Sequence, residues 1–175
     1  MKPKNDHDLL WHMIKDIRFA MLTHRHADGS LHAHPLTLQN RSLDEQGLLY
    51  FFVARPTEVG QRLQSDGNVN LSFVDPGQDI YVSVAGHASV SDDLAMKKRL
   101  FNALDRGWFP GGADDANLEL VVVRIVHAEF WDVRESKLTQ LLKIATAAAT
   151  HQQAHVGEHR ELNIAGAPIE HAEQH

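Results

Sequence analysis

Short stretches of β-branched and aromatic residues, separated by tight-turn signals, recur along the chain and constrain its fold more than any other feature. Phe19–Thr23 and Leu31–Leu38 flank Ala27-Asp28-Gly29-Ser30, and Asp-Gly is a strong hairpin signal because glycine tolerates a positive φ. Asp44-Glu45-Gln46-Gly47 turns the chain into Leu48–Val53, and Asp75-Pro76-Gly77 ends a further strand, Asn68–Val74. Ile80–Val90 reads as a long strand with Gly86 inside it, the mark of a bulge or a barrel bend. Leu118–Val126, continued through Glu129-Phe130-Trp131-Asp132, supplies the last strands.

Helices are expected at the flanks. Leu9, Leu10, Met13, Ile14 and Ile17 recur at helical spacing over Asp6–Ile17, with Asp6 or Asp8 as cap. Thr57 caps a short helix running to Leu63, and another helix runs from Asp92 to about Leu104. Leu138, Leu141, Leu142, Ile144 and Ala145 share a helical face near the end of a single domain over residues 1–150. Residues 151–175 are polar and rich in His and Glu, as in a tail or an arm. About six antiparallel strands joined by short connections give a mainly β protein, α+β by content, whose sheet can close into a small barrel and so remove its edges.

Several function classes fall away. A formal charge of −6 without a Lys/Arg run excludes general nucleic-acid binding. The absence of cysteine removes disulfides, thiolate metal sites and Cys nucleophiles, so cytoplasmic residence is expected. No apolar signal core and no membrane-spanning run is seen. There is no Rossmann glycine fingerprint and no Walker loop, and Ser83, Ser89 and Ser91 lie in a strand without a nucleophile elbow. Asp114, Asp115 and Glu119 read as solvated loop charges rather than catalytic acids, and no side chain is nominated as catalytic.

His24, His26, His32 and His34 flank the first turn. With a two-residue loop, His24 lies opposite Ala33 and the four point to different faces; with three residues and a bulge, His24 lies opposite His32 and all four share one face. No carboxylate within the segment completes a site, so these are read as surface or interface histidines and no metal is assigned.

Taken in order, Met21-Leu22-Thr23, Asp28-Gly29, His34-Pro35-Leu36, Gly47-Leu48-Leu49-Tyr50-Phe51-Phe52 and Val69–Asp75 resemble the general stress protein 26-like branch of the pyridoxamine 5'-phosphate oxidase-like superfamily. Tyr81–Ala88, Trp108-Phe109-Pro110-Gly111-Gly112 with Asp114-Asp115, and Ala128–Asp132 extend the resemblance, which covers most of residues 10 to 145. It implies an FMN-binding antiparallel split β-barrel, assembled as a homodimer with two FMN sites at the subunit interface, and a flavin-dependent oxidoreductase activity. A non-catalytic flavin carrier is the alternative, and a haem-binding relative a third.

The same resemblance implies the site residues. The phosphate would lie near His34, Pro35 and Leu36, and past Phe52 near Val53, Thr57 and Val59, with Trp108 and Trp131 beside the ring. Two positions depart from the family pattern: His34 stands where an Arg usually precedes the proline, and Val59 where a Lys is usual. Arg55 and Arg62 are the nearest substitutes, and of the usual Thr, Ser and Lys only the Thr57 hydroxyl is kept.

Overall fold

The computed structural model describes residues 4–132 and 158–164; the helical face expected around Leu138–Ala145 lies outside them. The elements are α1 (Asp6–Ile14), β1 (Phe19–Arg25), β2 (Leu31–Thr37), β3 (Leu48–Ala54), α2 (Glu58–Leu63), β4 (Asn68–Asp75), β5 (Ile80–Ser91), α3 (Leu94–Leu100), β6 (Leu118–Asp132) and β7 (Glu158–Leu162).

One antiparallel sheet carries all the strands, in the order β2-β1-β4-β5-β6-β3, with β7 paired to β6. β6 is the spine: β5 runs along one edge, while β3 (opposite Leu118–Arg124) and then β7 (opposite Ala128–Asp132) share the other. The sheet curls until β2 and β3 approach, but they meet at a single bridge, Leu38 with Phe51, beside a Gln39 N–H to Tyr50 carbonyl bond of 2.9 Å. The barrel is therefore split along this seam.

The first hairpin takes the longer loop. Arg25 pairs with Leu31, the His26 N–H donates to the Ser30 carbonyl at 2.8 Å, and Gly29 adopts φ +87°, a conformation that glycine accepts without a Cβ clash. His24 thus lies opposite His32, and of the two registers open to the sequence this is the one that gathers the histidines. On β5 the register shifts between Ala85 and Gly86, where a Cβ would stand 2.6 Å from Val123 Cγ1 and 2.7 Å from the Arg124 carbonyl oxygen.

β3 is apolar at every position from Leu48 to Ala54 because both of its faces are covered. Leu49, Phe51 and Val53 point into the barrel core with Leu22, Leu71, Phe73, Val84 and Phe130. Tyr50 and Phe52 form a second cluster with Leu100, Phe109, Leu118 and Leu120. Phe51, Phe73 and Phe130 are fully buried, each contributing about 1.5–3 kcal/mol relative to exposure.

Three expectations change at element ends. The first helix stops at Ile14, not Ile17, because Arg18 enters the left-handed region at φ +60° to turn the chain into β1, and its cap is the Asn5 side chain, which accepts from the Asp8 N–H at 2.8 Å. The helix expected from Asp92 to about Leu104 ends at Leu100, after which Asp105 caps a tighter turn by accepting from the Asn102 N–H at 2.8 Å. The polar segment beyond residue 150 holds a strand, β7, whose Leu162 is buried against the core. Among the described residues, no helix is long and apolar enough to cross a membrane.

Candidate functional site

A cleft of about 650 Å³ opens along the seam, walled on one side by His34, Pro35, Leu36 and Thr37 of β2 and on the other by Phe52, Val53 and Ala54 of β3. Thr57, Val59, Trp108 and Phe109 complete its lining. Of the residues named from sequence, the structure brings together His34, Pro35, Leu36, Phe52, Val53, Thr57, Val59 and Trp108. Two fall elsewhere: Arg62 lies on α2 with its Nε donating to the Arg25 carbonyl at 3.5 Å, and Trp131 faces outward on β6, stacked on His159 at 4.8 Å.

Local chemistry explains these placements. Pro35 sits in β2, a strand at the open seam, where the missing N–H costs no ladder bond. Thr57 caps α2, donating its hydroxyl to the Ala54 carbonyl at 2.6 Å and accepting from the Gly60 N–H at 3.4 Å. Val59 is 4% exposed and packs into the core as well as the cleft lining. Trp108 is 84% exposed whereas Phe109 is buried, so only one of the two loop aromatics is satisfied within the chain.

Cations are sparse here. Arg55 is occupied: its Nε donates to the Ala116 carbonyl at 3.1 Å, and its other nitrogens lie 3.4 Å from Asp92 and 3.5 Å from Glu119. Glu119 itself, read from sequence as a solvated charge, is buried in β6. Burial depresses the His34 pKa, helped by the charge of His24 and opposed by Glu58, so His34 faces the cleft as a neutral imidazole near pH 7. Arg18 lines the cleft and joins it to a smaller hollow of about 290 Å³ that also holds Lys15 and Arg41.

Sequence reasoning missed Arg18, Gln39, Asn102 and Asp105 of the cleft wall. Asp105 is buried and accepts from the Gln39 Nε2 at 3.1 Å, which fixes one wall against the other side of the seam. Asn102 lay hidden inside an expected helix, and nothing local in the sequence signals the left-handed Arg18.

A split antiparallel barrel with an apolar, ligand-sized cleft at its seam is the class that fold and site define. A profile of the family described as Pyridoxamine 5'-phosphate oxidase like matches residues 5–155, and the chain belongs to that family. Among solved structures, it is similar to the general stress FMN/FAD binding protein of Xanthomonas citri, with 31% identity and a TM-score of 0.64 over 75% of this chain and 90% of that one. A general stress family protein of Xanthomonas campestris pv. campestris is also 31% identical, with a TM-score of 0.66 over 78% of this chain and 92% of that one. Protein bli-3 of Neurospora crassa is 25% identical over 157 residues, 83% of this chain and 74% of that protein.

Proposed function

We propose that the protein binds FMN in the seam cleft and acts as an FMN-dependent oxidoreductase. The observation that carries this reading is the cleft itself. Its volume falls within the roughly 300–1,000 Å³ usual for small-molecule sites, and its walls match a flavin's two ends. Leu36, Phe52, Val53 and Trp108 offer apolar surface to a fused ring, while Thr57, His34 and Arg18 offer polar groups to a phosphate. FMN, when bound, supplies the electron chemistry; the protein supplies position and electrostatics.

We place the working unit as a homodimer. Phe19, Met21, Val74, Tyr81 and Trp131 are all substantially exposed on the outer face of the sheet, and Val74, Tyr81 and Trp131 follow one another across β4, β5 and β6. Such an apolar stripe supports a subunit interface.

Titrating the purified chain with FMN and following flavin fluorescence tests the reading, with anaerobic addition of NADPH as the second step. Saturable uptake followed by bleaching of the flavin is expected; a chain that takes up no FMN refutes it. Flavin bound but never reduced assigns the carrier role instead, a second reading favoured by the neutral His34 and the engaged Arg55.

A further inference from the structure

We propose that His24 and His34, on adjacent strands of the first hairpin, together with Glu58 at the start of α2, bind a divalent transition-metal ion of zinc's borderline softness. The three-residue hairpin loop stacks the two imidazoles, with ring centroids 5.1 Å apart and planes inclined by 15°. Glu58 arrives from a different element, and one ligand atom from each of the three residues lies within 4.8 Å of the others. A tetrahedral ion with nitrogen and oxygen ligands needs separations of roughly 3.3 Å, so small side-chain rotations close the site.

The unpartnered atoms point to the same ligand. Among the described residues, His24 Nε2 and His34 Nε2 are buried side-chain nitrogens without a hydrogen-bond partner, and the Glu58 carboxylate beside them is already a focus of imidazole contacts, 3.8 Å from His34 Nε2 through Oε2. His24 is 1% exposed, so bulk solvent does not reach it. Its Nδ1 lies 3.4 Å from the Arg25 carbonyl, and donation there leaves Nε2 as the lone-pair nitrogen, the arrangement by which backbone carbonyls orient metal-ligating histidines.

His26 and His32, stacked at 4.4 Å, contact Oε1 of the Glu58 carboxylate at 3.3 and 3.0 Å. They make a second such cluster with Glu58, but their rings are about a third exposed, 32% and 39%, whereas His24 is buried, so the inner pair is assigned as the primary ligands. Two imidazoles and one carboxylate leave at least one coordination position for water or a ligand, and such a nitrogen and oxygen donor set suits zinc and its neighbours. The site stands independently of the flavin reading, although His34 belongs to both.

The test is calorimetric titration of the full, tag-free, EDTA-treated chain with ZnCl₂, without flavin. One equivalent per chain is expected. Glu58→Gln, close in size to the native residue, should weaken binding at least tenfold, and His24→Ala or His34→Ala likewise, with circular dichroism confirming the fold. His26→Ala/His32→Ala should retain stoichiometric binding. Absence of zinc uptake overturns the proposal outright, and unchanged affinity in Glu58→Gln overturns it by assigning the binding to other groups of the chain. Loss of binding only in the His26/His32 variant overturns the choice of ligands.

Discussion

Replacing Gly86 with alanine asks whether the β5 irregularity exists to let two strands approach. The added methyl would meet Val123 Cγ1 at 2.6 Å and the Arg124 carbonyl oxygen at 2.7 Å, and Val123 is fully buried with no room to retreat. Overpacking of this kind costs about 1–3 kcal/mol, while the stiffer unfolded chain returns about 0.4–1 kcal/mol. One of the two contacts is backbone, which cannot rotate away, so the upper part of the range applies and the net loss is about 2 kcal/mol. For a chain of this size that lowers the midpoint by roughly 4–8 °C. Urea unfolding followed by tryptophan fluorescence gives the stability, and a thermal scan gives the midpoint. Adding Val123→Ala should recover the part due to Cγ1, read as a coupling of about 0.5 kcal/mol or more in a double-mutant cycle. A Gly86→Ala protein as stable as the parent would refute the close-approach argument.

Three further outcomes follow from the same structure. Arg55→Ala leaves the Glu119 carboxylate buried opposite a missing partner and should cost about 1–2 kcal/mol once the half-exposed guanidinium is discounted for water; in a Glu119→Gln background the cost should shrink, and equal costs in both backgrounds would deny the pairing. Thr57→Ala removes the α2 cap, and urea unfolding should show a loss of about 1 kcal/mol. Trp108→Ala, at so exposed a position, should leave stability within about 0.5 kcal/mol, yet weaken FMN binding by roughly 2- to 12-fold if the indole flanks the ring; fluorescence titration measures it.

The strands were legible because their signals are local. Asp28-Gly29, Gly47 and Gly86 each mark a turn or bulge whose backbone demands are written in one or two residues. Pro35, Phe52, Thr57 and Trp108, distant in sequence, line one cleft, and motif order singled them out together where periodicity does not. What stayed hidden depends on contacts between distant segments. The carboxylate that meets the hairpin histidines, Glu58, enters from α2 and so lies outside the hairpin's own sequence. β7 carries the polar sequence Glu-His-Arg-Glu-Leu, and it is a strand because the far half of β6 leaves an edge to be paired. Glu119 is buried because β6 passes beneath Arg55, a fact of tertiary packing.

The open seam has a further consequence for how such a protein tolerates change. In a fully closed barrel, the main-chain N–H and C=O groups of β2 and β3 would be spent on one another. Here a single bridge at Leu38 and Phe51 joins them, and the cleft lies alongside. A ligand seated there is offered backbone groups as well as side chains, and backbone groups survive any substitution that preserves the fold. A His at position 34 or a Val at position 59, in place of a cation, removes charge but leaves that main-chain share of the cleft untouched. The split in the barrel thus acts as a reserve of recognition that the side chains do not control.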